Sequence, residues 1–239
     1  MATALVREGA TVYITSRKAT VCDQVAAELM AMGPGKCYSI PSDCSTDAEC
    51  KRVAKEIGAR ETRLHLLFNN AGITWGATLE GFPEDAWDKV FKLNVATVFM
   101  LTRALIPLLE KASVEGDPAR VINTGSIAGY VATQFDNAYS YGASKAAVHH
   151  LTRVLAAQLA PKGISVNAIA LGLFPSKMTD FYLKDDSRKD AAISSIPMGR
   201  HGSASDMEGM TLFLASRASA YMTGSILIYD GGQSISSRL

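Results

Sequence analysis

Hydrophobic positions follow two periodicities along this chain. Short β-branched or apolar runs predict buried strands over residues 10–15, 36–41, 64–68, 120–124, 164–170 and 225–229. Between them, apolar residues recur every three or four positions and predict helices over 20–32, 46–58, 84–110, 206–217 and through Tyr141. This alternation is typical of βαβ units, so we predict an α/β fold: a doubly wound, mostly parallel, Rossmann-like sheet in three αβα layers.

Polar residues cluster where these predicted strands end. Sheets of this class bind ligands beyond the carboxyl ends of their strands, so we expect one cleft there. The polar strand ends are Ser16–Arg17, Asp43, Asn69–Gly72, Ser126 and Gly172. No repeat or composition shift divides the chain, and residues 1–239 are therefore interpreted as one domain.

The helix through Tyr141 begins with a pair of residues that suits acid–base chemistry. Lys145 follows four residues after Tyr141, so both side chains share one helix face. A free phenol has a pKa of about 10, and a neighbouring ammonium lowers it. Such a tyrosine can exchange a proton with an alcohol or a carbonyl. Tyr139 is a weaker candidate, since Ala143 stands four residues after it.

Composition narrows the possible partners. The net charge of +1 gives no indication of a nucleic-acid partner, and no apolar run approaches the roughly 20 residues of a membrane span. The four cysteines lack metal-ligand spacing and fit reduced thiols, so we expect a cytoplasmic protein. His149 and His150 have no partner cluster and are expected on the helix surface.

Short motifs occur in order along the chain: Asn69-Asn70-Ala71-Gly72, Asn94, Gly125-Ser126, Tyr141 with Lys145, Asn167-Ala168 before Gly172, and Asp230-Gly231-Gly232. In these motifs and their order the chain resembles the short-chain dehydrogenase/reductase family over nearly all its length, in particular the 3-oxoacyl-carrier-protein reductase type. The resemblance implies hydride transfer between a nicotinamide cofactor and a small-molecule carbonyl or secondary alcohol.

The same resemblance implies roles for four catalytic positions. Tyr141 would be the general acid/base, and Lys145 would lower its pKa and hold the nicotinamide ribose. Ser126 would hydrogen-bond the substrate oxygen. Asn94 would support a water that relays protons to Lys145.

It also implies a cofactor-binding set. Arg17, next to Ser16, offers a bidentate partner to a 2′-phosphate and therefore favours NADP over NAD, although an exposed loop arginine is the simpler alternative. The remaining positions would contact the adenosine or the nicotinamide carboxamide: Asp43, Asn70, Ala71, Gly72, Phe174 and Ser176.

One departure from the family pattern concerns the front of the fold. The family begins with a strand and a Thr-Gly-x-x-x-Gly-x-Gly loop that holds the pyrophosphate, and this sequence contains neither. The absent strand would be central, so we predict a gap between strands 10–15 and 64–68. Two interpretations stay open: an active reductase represented by an incomplete sequence, or a cofactor-deficient, non-catalytic relative that acts through subunit contacts.

Partners are expected to be identical subunits. The helices that carry Asn94 and Tyr141 are more apolar than one buried face requires, which favours a homodimer or a homotetramer. The segment 178–198 is expected to cover the substrate, and its polar, variable sequence does not identify which ketone that is.

Overall fold

The computed structural model describes residues 1–132 and 137–235. The helices are α1 (Ala2–Arg7), α2 (Ala19–Met32), α3 (Asp47–Arg60), α4 (Glu84–Phe91), α5 (Thr97–Glu110), α6 (Tyr139–Leu159), α7 (Asp180–Leu183), α8 (Asp186–Ser194) and α9 (Ala204–Ala215). The strands are β1 (Thr11–Ile14), β2 (Lys36–Ser39), β3 (Leu66–Asn69), β4 (Ala119–Thr124), β5 (Ile164–Leu171) and β6 (Ile226–Tyr229). Each predicted strand is present, and its ends differ from the prediction by a few residues at most.

The strands form two parallel sheets instead of one. A two-stranded sheet has the order β1-β2, and a four-stranded sheet has the order β3-β4-β5-β6. In register, Val12 pairs with Cys37 in the first sheet, and Asn69 pairs with Asn123 in the second. The doubly wound parallel architecture is therefore confirmed, and the sheet is interrupted between β1 and β3, where the gap was predicted.

The two sheets differ in how fully their side chains are buried. Val121, Ile164 and Val166 are fully buried, and helices α3, α5 and α6 supply most of the surrounding core. The smaller sheet packs on a separate cluster around Val6 and Leu29. Strands buried on both faces read as continuous apolar runs, which is why β4 and β5 were evident from sequence.

A cavity of about 870 Å³ lies between β1 and β3. Its walls are mostly apolar, with Leu101 and Leu105 of α5 contributing one part and Leu5 of α1 another. The packing that continues from β3 to β6 is thus interrupted between β3 and β1, where the gap was predicted.

The long helix predicted over 84–110 contains an irregular turn. Residues Lys92–Ala96 form a π-helical turn between α4 and α5, and Asn94 lies inside it with its side chain buried. By length and composition alone Glu84–Glu110 could cross a membrane, but Leu101, Leu105 and Leu109 lie in the hydrophobic core, as in the core helix of a globular protein. All four cysteines are buried free thiols.

Candidate active site

The carboxyl ends of β3, β4 and β5 bring the predicted catalytic residues together. Asn69 pairs with Asn123, and Thr124 pairs with Ile169, so the residues after these strands emerge at one edge. The Thr124 hydroxyl donates to Asn70 Oδ1 at 3.1 Å and ties two of these ends together. The ends of β3, β4 and β5 therefore lie side by side where the cleft was predicted.

Lys145 is the most deeply buried charged group at this edge. Its side chain is 4% exposed, and its Nζ donates to the Thr124 carbonyl oxygen at 2.6 Å. Nζ lies 5.5 Å from the centroid of the Tyr141 ring, so the predicted pair does share one helix face. Burial lowers the pKa of Lys145 to about 8. Lys145 therefore titrates near neutral pH, as a group that exchanges protons with a neighbour should.

Ser126 stands at the start of a short helical turn. It caps the 3₁₀ turn Ile127–Gly129, with its Oγ accepting from the Ala128 N–H at 3.2 Å. A hydroxyl held in this way keeps its own proton available for a substrate oxygen. Ser126 and Tyr141 both line a cavity of about 570 Å³.

Asn94 forms hydrogen bonds both to the segment after β3 and to α6. Its Oδ1 accepts from the Ile73 N–H and its Nδ2 donates to the Ile73 carbonyl oxygen, both at 2.9 Å. Nδ2 also donates to Ser144 Oγ at 3.0 Å, and that hydroxyl donates to the Tyr141 carbonyl oxygen at 2.7 Å. The π-helical turn, a feature frequent at functional sites, thus holds both the segment after β3 and the start of α6.

Gly72 lies against this cluster. A Cβ built there would be 3.4 Å from Asn94 Oδ1 and 3.7 Å from Lys145 Nζ. The 70–72 segment, predicted on the cofactor side, therefore borders Lys145 directly. A side chain at position 72 would narrow the space above Lys145.

A buried polar network under the site was not anticipated from sequence. Asn69 Nδ2 donates to Thr102 Oγ1 at 3.0 Å and to Asn123 Oδ1 at 2.9 Å. Asn123 Nδ2 in turn donates to Thr152 Oγ1 at 2.9 Å. The network joins β3, β4, α5 and α6, and so fixes the helices that carry Asn94 and Tyr141. Asparagines inside apolar strand runs were the available signal.

The surface position predicted for His149 was wrong. Its side chain is 3% exposed, and its ring lies against Tyr130 with centroids 4.7 Å apart. A Cβ at Gly125 would come 2.4 Å from Nε2, and one at Gly129 would come 2.8 Å from Cε1. The ring thus fills the space that two glycines leave beside Ser126. Burial, together with the charges of Lys145 and Arg153, lowers its pKa to about 4, so the imidazole is neutral at pH 7.

The residues predicted to select NADP lie on the smaller sheet. Ser16 and Arg17 follow β1, and Asp43 follows β2; all three are exposed. The Ser42 N–H donates to the Ser16 carbonyl oxygen at 3.0 Å, which keeps these two strand ends side by side. Asp43 Oδ1 accepts from the Ser45 N–H at 3.1 Å. The Arg17 guanidinium is therefore accessible to an anionic ligand.

Phe174 and Ser176 lie outside the 570 Å³ cavity that Ser126 and Tyr141 line. Phe174 stacks on Tyr229 at 5.8 Å, and a Cβ at Gly202 would lie 2.3 Å from its ring. Ser176 is exposed in a turn where its N–H donates to Thr179 Oγ1 at 2.8 Å. Neither side chain lines the 570 Å³ cavity, so a role toward a carboxamide stays a prediction.

The cavity itself indicates what kind of molecule fits beside Tyr141. Its walls include the apolar side chains of Leu171, Leu173, Met178 and Phe181, and polar side chains such as Thr74, Thr78 and Gln233. The first turns of the 178–198 segment thus do border this space, as expected of a cover. Among the described residues, no group of histidine, cysteine or acidic side chains could hold a metal ion.

The chain is similar to known reductases over nearly all its length. A family model described as Enoyl-(Acyl carrier protein) reductase matches residues 1–234. The chain is 44% identical over 232 residues to the rhamnolipids biosynthesis 3-oxoacyl-[acyl-carrier-protein] reductase of Pseudomonas aeruginosa, covering 97% of this chain and 90% of that protein. It is 32% identical over 226 residues to the 3-oxoacyl-[acyl-carrier-protein] reductase FabG of Thermotoga maritima, covering 95% and 88%. Among solved structures, the Pseudomonas aeruginosa RhlG/NADP active-site complex matches with a TM-score of 0.91 and 38% identity, covering 98% and 99%.

Proposed function

The chain belongs to the short-chain dehydrogenase/reductase family, and we propose that it is an NADP-dependent oxidoreductase that interconverts a carbonyl and a secondary alcohol. One observation carries this proposal: Tyr141 and Ser126 open onto one cavity while Lys145 lies buried behind the tyrosine ring. The reductases named above support the activity, and they give no support to the non-catalytic alternative. Residues 1–239 are proposed to work as one domain.

In this site Tyr141 exchanges a proton with the substrate oxygen. The Ser126 hydroxyl donates to the same oxygen and stabilises the charge that develops on it. Lys145 stabilises the phenolate through its ammonium. Its pKa of about 8 allows it to give a proton to the phenolate and then, as the neutral amine, to accept a replacement proton. Asn94 positions Ser144 and the 73 backbone, and so sets the distance between the Tyr141 helix and the cofactor side.

The nicotinamide end of NADP fits the residues present. Gly72 borders Asn94 and Lys145 and leaves open the space that a Cβ in contact with both would occupy, and Lys145 provides a donor for ribose hydroxyls. Asn70 and Ala71 border the adenosine side, and the exposed Arg17 provides the bidentate partner for a 2′-phosphate. When bound, the cofactor supplies the hydride.

The substrate proposed is a ketone with an apolar arm, such as a 3-oxoacyl thioester. In the 570 Å³ cavity, the apolar side chains of Leu171, Leu173 and Met178 give an acyl chain a surface to bury against, and the polar side chains of the lining offer partners to its carbonyl end. The names of the two bacterial reductases support this choice. A kinetic panel of 3-oxoacyl thioesters, polyketide, steroid and sugar ketones tests it; a higher kcat/KM for the sugars would overturn it.

The catalytic assignment is tested by one matched pair of variants. Tyr141→Phe removes only the hydroxyl, and we expect kcat/KM for NADPH-dependent ketone reduction to fall at least about 100-fold. Tyr139→Phe makes the same change two residues earlier on α6, where the ring packs against Phe82. This control is expected to keep the parental rate, and equal rates for parent and Tyr141→Phe would refute the assignment.

We also propose a homodimer or homotetramer in the cytoplasm. Phe99 on α5 and Val154 on α6 are 42% and 46% exposed, which gives these helices an apolar outer face for a second copy. The free thiols are compatible with a reducing compartment. Light scattering that gives a monomer mass at micromolar concentration would contradict the oligomer.

A further inference from the structure

The turn that carries Ser126 rests on one face of α6. The Gly129 N–H donates to the Ser126 carbonyl oxygen at 3.0 Å and closes the turn. A Cβ at Gly129 would come 2.8 Å from both the Ala146 nitrogen and the Lys145 carbonyl carbon, so the turn contacts the helix backbone directly. Because α6 also carries Tyr141, the depth of this contact sets how far the Ser126 hydroxyl stands from the phenol.

His149 supports the other end of the same turn. Its side chain is 3% exposed, and a methyl group on Gly125 would overlap the ring at Nε2 and lie 2.9 Å from Cδ2. The Gly125 N–H donates to the Ile169 carbonyl oxygen at 2.8 Å, so Gly125 is held between β5 and the imidazole. A smaller side chain at position 149 would leave a space into which Gly125 and Ser126 could move.

Stability alone does not explain an imidazole at this position. Both ring nitrogens of His149 are buried without a hydrogen-bond partner among the described residues. A buried polar group without a partner costs about 1–3 kcal/mol, and a leucine of similar volume would carry no such cost. What leucine lacks is the flat ring, which lies 4.7 Å from the Tyr130 ring with Gly125 and Gly129 beside it. The shape of the ring therefore matters here more than its polarity.

We propose that His149 is a positioning residue: its ring holds the Gly125–Ser126 turn at the distance from α6 at which the Ser126 and Tyr141 hydroxyls reach one substrate oxygen. This rests on the proposed function, in which both hydroxyls bind that oxygen. Among the described residues around the 570 Å³ cavity, the turn contributes Ser126 and Ala128, whereas His149 is not one of them. The ring therefore acts on the reaction through Ser126 and does not touch the substrate.

A pair of compensating substitutions tests the contact between the ring and the turn. Gly125→Ala places a methyl group against the imidazole, and kcat for ketone reduction by NADPH should fall about 100-fold, with a smaller change in KM. His149→Ala removes the ring and should lower kcat about tenfold. In the double variant the methyl group occupies the vacated space, so kcat should recover at least about tenfold relative to Gly125→Ala. Its remaining contact, 3.1 Å to the Ile169 carbonyl oxygen, requires a shift of only a few tenths of an ångström.

A second cycle tests whether the effect passes through the Ser126 hydroxyl. In the Ser126→Ala background no hydroxyl is left to misplace, so adding His149→Ala should change kcat less than about threefold. The exposed neighbour variant His150→Ala should keep the parental kcat. Equal fold losses for His149→Ala with and without the Ser126 hydroxyl would overturn the proposal, because the ring would then act on the fold in general.

Hydrogen exchange gives a readout that does not require turnover. The Gly129 amide closes the turn, so its exchange should be at least about tenfold faster in His149→Ala, while the amides of β4 exchange as in the parent. His149→Leu keeps the volume without the ring and should show the same local acceleration. Faster exchange confined to Gly129 in a chain without reductase activity would support the positioning role and count against the proposed function alone. Unchanged exchange at Gly129, equal acceleration in β4, or no rescue in the double variant would overturn the positioning role.

Discussion

The sheet β3–β6 and the sheet β1–β2 differ in how tightly they are packed. The residues proposed to transfer protons lie beside the first sheet, and the residue proposed to bind the 2′-phosphate follows a strand of the second. The larger sheet is continuous, its central side chains are fully buried, and it positions Asn94, Ser126, Tyr141 and Lys145. In the smaller sheet the side chains of β1 are exposed or half-buried, one edge borders the 870 Å³ cavity, and Arg17 extends into solvent. The groups proposed to transfer protons thus have a rigid support, whereas the group proposed to recognise a 2′-phosphate does not.

The largest expected effect is at Lys145, in the well-packed sheet. Lys145→Met keeps most of the side-chain volume and removes the charge, so we expect kcat/KM to fall by about 1,000-fold, within the range for a group that supports acid–base catalysis. Steady-state reduction of a ketone by NADPH measures it. A loss smaller than tenfold would contradict the role given to this ammonium.

The same variant has a stability signature that loss of activity alone would not produce. The folded pKa of about 8 lies below the ordinary lysine pKa of 10.5, so between these pH values the unfolded chain holds the proton and the folded chain releases it. The free energy of unfolding of the parent should therefore rise with pH across this window, by up to about 3 kcal/mol. Urea unfolding of Lys145→Met should lack this rise relative to the parent.

The next effect concerns His149 on α6, which is buried beside the larger sheet. Its folded pKa of about 4 lies below the ordinary histidine pKa of 6.5, so the unfolded chain binds more protons between these pH values. Stability should fall as pH falls through this window, by about 3 kcal/mol in total. Urea unfolding of His149→Leu should be flatter over pH 6.5 to 4. The exposed neighbour variant His150→Leu should keep the parental slope, and a flat parental profile would contradict the burial.

A pair of valine truncations compares the two sheets directly. Val121→Ala in β4 removes two fully buried methyl groups, and we expect a loss of about 2–3 kcal/mol in the free energy of unfolding. Val12→Ala in β1 removes the same groups from a half-buried position beside the cavity, and should cost about 1 kcal/mol or less. Equal losses in urea unfolding would remove the distinction between the sheets.

The sequence could predict what depends on local pattern. Apolar runs located every strand, and the one-turn spacing of Tyr141 and Lys145 placed both on one face, as the 5.5 Å separation confirms. The absence of a strand from the sequence also predicted the interruption between β1 and β3. Each of these inferences uses neighbours along the chain or a known strand order.

The features that sequence did not predict arise from tertiary packing. His149 looks like a surface residue on α6 until Gly125 and Gly129 come close enough to enclose its ring. The π-helical turn at Asn94 leaves the helical periodicity almost unchanged, so it reads as regular helix. The polar network through Asn69 and Asn123 requires the register between β3 and β4, which no single segment encodes.

The smallest expected effect lies on the loosely packed side and concerns recognition alone. Arg17→Ala should raise KM for NADPH about tenfold, which corresponds to about 1.4 kcal/mol, because one exposed bidentate contact to a 2′-phosphate is lost. The KM for NADH and both kcat values should stay near those of the parent, since Arg17 follows β1 of the smaller sheet and Tyr141 lies on α6 beside the larger one. Arg103→Ala, an exposed arginine on α5 that pairs with Asp47, is the matched control and should change neither cofactor's KM. If Arg17→Ala raised the KM for NADH as much as the KM for NADPH, Arg17 would stabilise the loop after β1 and not bind the 2′-phosphate.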